Sequence, residues 1–298
     1  LSLKRKMNIF LKLLLFIPAC CLWIWAFIIE PHIILDIEEV PIKIEKWDSN
    51  LDNLKIAVVG DIHAGKPFFE DWRVKKIVDK INSLSPDIVL LVGDFVNGGW
   101  YQSSMNLDKL ASMLSKIRAP FGVYAILGNH DYLYGAGQIR KMINSTHIKL
   151  LENSNAKVDT PKGSFYISGI ADPLSADYSY SQTLKGVEKN SPVIFLSHTP
   201  DVFREIPTEA SIAFSGHTHG GQVKLPFIGA LFSNTFAKDK LIEGEYRDGP
   251  KTIFVTRGLG TSRLPVRFLC TPVISLITLG KTINNTEKSE TNTTEDKE

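Results

Sequence analysis

Short apolar runs alternate with amphipathic stretches along most of the chain. The first three runs span residues 55–63, 87–94 and 122–131, are rich in β-branched residues and end in glycine or polar residues, which is typical of buried strands. Apolar residues at helical spacing lie within residues 71–87, and a second helical pattern covers 107–117. Strands that alternate with helices predict a layered α/β domain.

The apolar runs continue towards the C-terminus with fewer helical patterns between them. Five further strands are predicted, at residues 165–170, 193–198, 211–217, 252–258 and 273–280. Consecutive strands without an intervening helix indicate a mixed sheet or two packed sheets. No repeat of fixed period and no second domain interrupt this pattern, so we expect one domain over residues 54–280.

The N-terminal segment is apolar from Ile9 to Ile29, and only Lys12 and Pro18 interrupt it. These 21 residues match the roughly 20 residues that cross a bilayer core. We expect residues 1–30 to form a transmembrane anchor with a short cytoplasmic segment. A cleaved signal peptide and a buried core helix are the alternatives.

Charge determines the expected orientation of this anchor. Basic residues precede the apolar segment and acidic residues follow it, at Lys4, Arg5, Lys6 and Lys12 and at Glu30, Asp36, Glu38 and Glu39. The positive-inside rule then places the N-terminus in the cytoplasm and the rest of the chain on the extracytoplasmic side. The polar stretch 31–53 is expected to form a stalk or edge strand, and the polar residues 281–298 to be disordered.

Composition and short motifs exclude several classes of protein. The net charge of +2 provides no field that would attract nucleic acid, so no specific nucleic-acid partner is expected. Three cysteines do not make a disulfide framework. The sequence H-E-x-x-H does not occur, which excludes a zinc protease of that type.

Met7 is a candidate for the true start residue.

Polar residues follow five of the predicted strands at the point where each strand ends. They are Asp61 and His63, then Asp94, then Asn129, His130 and Asp131, then His198, and finally His217 and His219. Five of the seven histidines lie in these positions. Because ligand sites in open α/β sheets lie outside the carboxyl ends of the strands, we expect these side chains to gather at one edge.

Such a set of side chains suits a binuclear metal site. Imidazole and carboxylate groups are ligands for zinc, iron and manganese, and one carboxylate can bridge two ions. Asn129 would add a neutral carbonyl oxygen. Two-metal sites clamp both the attacking and the leaving oxygen of an in-line displacement. Two divalent or trivalent metal ions (Mn, Fe, Zn or similar) are therefore the expected cofactors.

The ordered series D-x-H, G-D, G-N-H-D, S-H and G-H-T-H, from Asp61 to His219, resembles the calcineurin-like metallophosphoesterases. The resemblance implies their α/β/β/α fold, in which two packed β-sheets are flanked by helices. It also implies two metal sites that share the bridging Asp94. One metal would take Asp61, His63, Asp94 and His219, and the other would take Asp94, Asn129, His198 and His217.

His130 resembles the catalytic histidine of that family, which stabilises the phosphoryl oxygens or protonates the leaving group. Asp131 is expected to orient the His130 ring, as carboxylates orient imidazole elsewhere. A simple structural hydrogen bond for His130 and a helix N-cap for Asp131 are the alternatives. The implied activity is hydrolysis of a phosphodiester or pyrophosphate by in-line attack of a metal-bound hydroxide.

Residues 217–226 and 257–268 resemble a membrane-associated bacterial subgroup of this family, some members of which act on UDP-diacylglucosamine. A phosphorylated small-molecule or lipid-linked substrate at a bacterial cell membrane is therefore expected. Three alternatives stay open: a general envelope phosphodiesterase, a UDP-2,3-diacylglucosamine pyrophosphohydrolase of lipid A synthesis, and a non-catalytic metal-dependent binding protein. Arg257, Arg263 and Arg267 are either phosphate ligands or, more commonly, exposed surface residues.

Overall fold

The computed structural model describes residues 3–65, 71–99, 103–236 and 241–282. The predicted polar tail lies outside the described residues from position 283 onward, and so do the side chains of Lys4, Arg5 and Lys6. Within the described ranges two six-stranded sheets pack against each other, and helices flank them. The predicted α/β/β/α fold class is confirmed.

The first sheet has a parallel centre. Its strands, in spatial order, are β1 (Asp36–Ile44), β14 (Val273–Lys281), β2 (Leu54–Val59), β3 (Ile88–Leu91), β4 (Val123–Ala125) and β5 (Lys149–Leu150). Strands β2, β3, β4 and β5 run parallel, whereas β14 is antiparallel to β2. The carboxyl ends of β2, β3 and β4 therefore meet at one edge of the sheet.

The second sheet also has a parallel centre. Its strands, in spatial order, are β12 (Gly244–Asp248), β13 (Lys251–Val255), β9 (Ile212–Ser215), β8 (Val193–Leu196), β7 (Gly163–Gly169) and β6 (Ser154–Thr160). The two outer strands are antiparallel to their neighbours, and the four central strands are parallel. A two-stranded hairpin of β10 (Lys224–Leu225) and β11 (Gly229–Ala230) stands apart from both sheets.

Five α-helices lie in the described residues: α1 (Leu3–Ile24), α2 (Asp71–Ser83), α3 (Leu107–Leu114), α4 (Asn129–Asn144) and α5 (Tyr180–Thr183). A π-helical segment, Trp25–Ile33, continues α1. Three short 3-10 turns cover Ser49–Leu51, Pro200–Val202 and His219–Gly221. The last of these turns holds one of the predicted metal ligands.

Three hydrophobic clusters cover the faces of the two sheets. The cluster between the sheets joins residues of both, such as Val58 and Phe214. Ile77 of α2 packs on the outer face of the first sheet, and Phe195 of β8 belongs to a cluster on the outer face of the second. Because both faces of the central strands are covered, their sequences are continuously apolar instead of alternating.

All eight predicted strands are present within the described residues, but the run 122–131 is divided differently. Strand β4 ends at Ala125, and helix α4 begins at Asn129. The sequence pattern did not predict α4, because Gly135, which adopts φ 131°, interrupts its helical spacing. The Asp131 carboxylate accepts the N–H of Gly128 at 3.0 Å and so caps the helix start.

The segment 31–53, expected as a stalk or edge strand, includes β1 at the edge of the first sheet. This strand pairs in parallel with β14. The side chains of Ile42, Ile44 and Trp47 are buried in the cluster between the sheets. These residues therefore form part of the folded domain.

The end of the N-terminal helix also contacts the domain. The carboxylate of Glu30 is buried and accepts hydrogen bonds from the N–H groups of Leu269 (3.1 Å) and Cys270 (2.6 Å). One turn earlier, the carbonyl of Ala26 accepts the N–H of Arg267 at 2.9 Å. Contacts with the domain thus begin at Ala26, within the segment 1–30 that was expected to act only as an anchor.

A truncated protein that begins at residue 26 is expected to be more stable than one that begins at residue 31. Loss of Glu30 leaves the N–H groups of Leu269 and Cys270 without their acceptor, and because the Cys270 N–H is buried, this costs about 1–3 kcal/mol. In thermal unfolding the shorter protein should melt roughly 2–12 °C lower. The Glu30→Gln variant of the longer protein keeps one acceptor oxygen. Its melting temperature should therefore lie between those of the two truncated proteins. Equal melting temperatures would contradict a structural role for Glu30.

Candidate metal centre

The fold brings all seven predicted metal ligands to one edge, where the two sheets meet. Asp61 and His63 follow β2, Asp94 follows β3, and Asn129 is the first residue of α4. From the second sheet, His198 follows β8, and His217 and His219 follow β9. Asp61, His63, Asp94, His198 and His219 are each at most 1% exposed.

The backbone is held in an unusual conformation at most of these positions. Five of the seven residues have positive φ: Asp61 (53°), His63 (47°), Asp94 (57°), His217 (71°) and His219 (53°). Residues other than glycine rarely adopt this region, and when they do, they cluster at functional sites. The sharp turns direct the side chains inward immediately after each strand.

Glycines allow the ligand loops to approach one another closely. Gly93 has φ 94°, and a Cβ there would lie 2.6 Å from the backbone nitrogen of Gly128 and 2.8 Å from Nδ1 of His198. A Cβ at Gly216 would lie 2.5 Å from Oδ2 of Asp61. A larger residue at either position would force the loops of the two sheets apart.

The first expected ligand set forms a compact buried group. Asp61, His63, Asp94 and His219 each offer one ligand atom, and these four atoms all lie within 4.8 Å of one another. Nε2 of His63 lies 3.2 Å from Nε2 of His219 and 3.4 Å from Oδ2 of Asp94. Two imidazoles and two carboxylates converging in this way could hold a divalent metal ion.

The second expected set lies beside the first. Nε2 of His198 is 3.4 Å from Oδ2 of Asp94, the same oxygen that faces His63. Nδ1 of His217 is 2.9 Å from Oδ1 of Asn129. The second ring nitrogen of each histidine contacts a backbone carbonyl oxygen. Nδ1 of His198 lies 2.7 Å from the Val92 carbonyl, and Nε2 of His217 lies 3.1 Å from the Asn234 carbonyl. Since a carbonyl can only accept, it binds the proton of the nitrogen that it contacts and leaves the other nitrogen facing the site.

The charges of the site favour a cation. Burial and the charge of Asp94 raise the pKa of Asp61 to about 7. Burial lowers the pKa of His198, but the Asp94 carboxylate outweighs this effect and holds the pKa well above its usual range. Burial and the charge of His198 lower the pKa of His217 to about 4, so that ring is neutral at pH 7, as a metal ligand must be.

The residues present fit metal ions. Among the described residues, Oδ2 of Asp94 and Nε2 of His198 have no hydrogen-bond partner although both atoms are buried. Buried polar groups are normally satisfied, and a cation between these two atoms would satisfy both. The other oxygen of Asp94, Oδ1, accepts the backbone N–H of His130 at 2.8 Å, which orients the carboxylate.

His130 lies at the border of this centre and is partly exposed. Its ring meets the His63 ring edge to face, with 4.7 Å between centroids. Nδ1 lies 2.9 Å from the carbonyl oxygen of Gly98 and therefore carries a proton. Nε2 lies 3.5 Å from Oγ of Ser262. The ring is thus held by a backbone carbonyl on one side, and its other nitrogen is available to a substrate.

The expectation that Asp131 orients the His130 ring requires correction, because the carboxylate binds backbone N–H groups instead. Oδ1 of Asp131 accepts from Phe95 (2.9 Å) and Val96 (3.3 Å), and Oδ2 accepts from Asp94 (2.8 Å) and Gly128 (3.0 Å). These four bonds fasten the Asp94 loop to the start of α4. Asp131 is therefore a positioning residue for Asp94, and its N-cap role was the better alternative.

Neither expected role fits Arg267, whose side chain is fully buried. Its guanidinium donates to the carbonyls of Gly260 (2.7 and 2.9 Å), Arg257 (2.8 Å) and Cys270 (2.9 Å). The loop that it holds donates in turn to the first ligand loop, through Leu259 N–H to the Gly60 carbonyl at 3.1 Å. The glycine-rich sequence R-G-L-G was the one available signal, since such a loop leaves carbonyls that need donors.

The other two arginines differ from Arg267. Arg257 is partly buried and lies near two carboxylates, 3.8 Å from Glu38 and 3.9 Å from Glu243. Arg263 is exposed, as the more common alternative predicted. No described contact ties either residue to the ligand set.

Arg267→Met is expected to destabilise the protein strongly, because several buried carbonyls lose a charged donor. The expected loss in the free energy of unfolding is at least about 3 kcal/mol, which corresponds to a melting temperature roughly 6–12 °C lower. Arg263→Met removes an exposed arginine from the same segment and is the control, with a change within about 0.5 kcal/mol. Similar melting temperatures for both variants would show that the carbonyl contacts of Arg267 contribute little.

The chain belongs to the calcineurin-like phosphoesterase family, which it matches over residues 54–221. It is accordingly a hydrolase of phosphoric ester bonds. Among its relatives, the metallophosphoesterase YkuE of Bacillus subtilis is 33% identical over 263 residues, covering 87% of this chain and 90% of YkuE.

A second relative is a pyrophosphatase. The UDP-2,3-diacylglucosamine pyrophosphatase LpxG of Chlamydia muridarum is 26% identical, covering 86% of this chain and 92% of LpxG. Among solved structures, the NAD nucleotidase of Haemophilus influenzae matches with a TM-score of 0.46 and 16% identity, covering 70% of this chain and 45% of that one. The chain spans about half the length of the solved nucleotidases that it matches.

Proposed function

We propose that this protein is a binuclear-metal phosphoesterase that hydrolyses a phosphodiester or pyrophosphate at a membrane surface. The observation that supports two metals most directly is the position of Asp94. A single oxygen, Oδ2, lies 3.4 Å from Nε2 of His63 and 3.4 Å from Nε2 of His198. These histidines come from different sheets, so Asp94 joins two groups of ligands into one site.

The seven ligands would hold two ions such as manganese, iron or zinc, which would activate the attacking water and offset the charge that develops on the phosphoryl oxygens. The protein supplies the geometry. The backbone N–H of His217 contacts both oxygens of Asp61, at 3.0 and 3.1 Å, and Asp131 fastens the Asp94 loop. Both aspartates are thus oriented before a substrate arrives.

His130 is the residue that we assign to proton transfer. Because its Nδ1 proton is held by the Gly98 carbonyl, Nε2 is the atom that can contact a phosphoryl oxygen or donate a proton to the leaving oxygen. Its partial exposure lets a substrate reach it, while five of the seven proposed ligands stay buried. A metal-binding protein without turnover would not need this residue.

The experiment that tests this function combines metal analysis with a substrate panel. The purified full-length protein is loaded with manganese, iron or zinc and assayed on phosphomonoesters, phosphodiesters, pyrophosphates and phospholipids. We expect close to two ions per chain and hydrolysis of a diester or pyrophosphate. A stoichiometry of one ion under saturating metal would contradict the shared Asp94, and full loading without hydrolysis would favour the non-catalytic binding protein.

The membrane location is supported by the N-terminal helix. By length and composition, residues Leu14–Ile33 could cross a bilayer. Large apolar side chains from Leu14 to Trp25 are exposed, which argues against the buried core helix. The charge rule orients the catalytic domain outward. A C-terminal reporter that is active only outside the cytoplasm should be active, and a silent one would reverse this topology.

A second candidate function is UDP-2,3-diacylglucosamine pyrophosphohydrolysis in lipid A synthesis, which the similarity to LpxG favours. The two candidates differ in orientation, because a UDP-linked substrate is cytoplasmic. Release of UMP from UDP-2,3-diacylglucosamine, together with a reporter that is silent outside the cytoplasm, would select this candidate over an envelope phosphodiesterase.

A further inference from the structure

Exposed apolar side chains lie on two chain segments, one of which is hydrogen-bonded to the end of the N-terminal helix. Phe227 is fully exposed, and five other large apolar side chains are between 45% and 70% exposed. We call these six residues the apolar collar: Phe227, Ile228, Leu231, Phe232, Leu264 and Leu269. Large exposed apolar side chains on neighbouring segments are typical of an interaction surface.

The collar comes from two chain segments that are bonded together. The hairpin segment 222–232 pairs with 264–269 through Lys224 N–H to the Phe268 carbonyl and Phe268 N–H to the Gln222 carbonyl, both 2.9 Å. The Gln222 side chain adds bonds to the carbonyls of Leu264 (3.3 Å) and Val266 (3.2 Å). Hydrogen bonds therefore hold the apolar side chains at a defined place in the fold.

The same segment is fastened to the N-terminal helix. The N–H of Arg267 bonds to the Ala26 carbonyl, and the N–H groups of Leu269 and Cys270 bond to Glu30. Ala26 is the first buried residue after the exposed apolar part of the helix, which ends at Trp25. Tryptophans near a helix end are typical of the membrane–water interface, and the collar is bonded to the helix at that level.

We propose that the apolar collar inserts into the surface of the same bilayer that the N-terminal helix enters. This inference rests on the membrane location in the proposed function and extends it. A second copy of the chain is the less favoured occupant, because a segment that carries the collar is hydrogen-bonded to the end of the lipid-facing helix. Burial of apolar side chains in the lipid surface supplies the driving force.

The collar also connects the bilayer to the metal centre. The segment that carries Phe227 and Phe232 continues to Asn234, whose carbonyl lies 3.1 Å from Nε2 of His217. Insertion of the collar would therefore place the ligand edge of the sheets against the membrane surface. The substrate class that fits this position is a phosphate or pyrophosphate headgroup carried by a lipid.

The test uses full-length protein in lipid nanodiscs that hold one chain each. In a Cys20→Ser, Cys21→Ser background, Phe227→Cys is labelled with an environment-sensitive dye, and lipids that carry a nitroxide serve as quencher. The matched control is Lys162→Cys, which is exposed at the start of β7, at the end of the strand opposite the site. We expect blue-shifted emission and loss of most of the fluorescence at 227, with neither change at 162.

Three outcomes would overturn the proposal. The dye at 227 could stay unquenched, or both positions could be quenched alike. Protection of position 227 only when two chains share a disc would assign the collar to a second copy of the chain.

A kinetic comparison tests the consequence for the substrate. The double variant Phe227→Ser, Phe232→Ser should hydrolyse a vesicle-borne phospholipid about tenfold more slowly and a soluble phosphodiester at the parental rate. Phe227→Trp, Phe232→Trp keeps the apolar surface and should restore the rate on vesicles. Equal loss on both substrates would overturn the collar role. A parent protein that hydrolyses neither of these substrates nor a pyrophosphate would instead refute the proposed function and leave the quenching test valid.

Discussion

Asp94→Asn is expected to reduce metal binding from two ions to one or none and to lower the hydrolysis rate by at least about 10²–10³-fold, the cost of removing a single electrostatic stabiliser. The amide has nearly the same shape as the carboxylate and can still accept the His130 N–H through Oδ1. It lacks the charge that would bind the two ions between His63 and His198. Elemental analysis and steady-state kinetics on the purified variant measure both effects.

Asp79→Asn makes the same chemical change on the exposed surface of α2 and is the matched control. It should keep both ions and the parental rate. Circular dichroism checks that the Asp94 variant is folded. A folded Asp94→Asn protein that binds two ions and turns over normally would remove the basis for the binuclear proposal.

His130→Ala should separate chemistry from metal binding. The described contacts of this side chain are with Gly98, Ser262 and the face of His63, so both ions should remain bound. Loss of a general acid–base group lowers the rate by about 10²–10⁴-fold. Metal content and the rate constant, measured on the same preparation, test the two parts together.

The control for His130 is His147→Ala, because His147 is exposed between α4 and β5. This variant should match the parent in both measurements. Loss of metal in His130→Ala would make His130 a ligand or a support for one. An unchanged rate would favour the alternative that His130 makes only a structural hydrogen bond.

Much of the fold followed from local pattern. The run Val193–Leu196 is apolar throughout because both faces of β8 are covered, and this signal lies entirely within the run itself. Helix α4 was missed for the opposite reason. Ile139 and Ile143 are buried in the cluster that covers the outer face of the first sheet, and this burial offsets the helical cost of Gly135 and Gly137, which no local pattern could show.

The candidate ligands were also accessible from local signals. Each polar residue follows an apolar run, and the parallel order of β2, β3 and β4 brings three of these ends together. The sequence pattern predicted that His217 and His219, which follow the same strand, lie at that edge. In the structure a turn with positive φ at both residues, and not an extended strand, directs them there. Their assignment to separate metals stays a prediction.

The sequence by itself determined which residue types follow each strand, and therefore the class of chemistry, because strand ends and ligand types are local properties. Only the tertiary structure decided how these groups meet. Asp94 lies against His63, which is 31 positions away along the chain, and against His198, which is 104 positions away and follows a strand of the other sheet. The packing of the two sheets brings these residues together. The same packing surrounds the Arg267 guanidinium with backbone carbonyls and places the Asp131 carboxylate beside the Asp94 loop. It also brings the Glu30 carboxylate within hydrogen-bonding distance of the Cys270 N–H. Such contacts depend on three-dimensional positions of residues distant in sequence, which apolar periodicity does not encode.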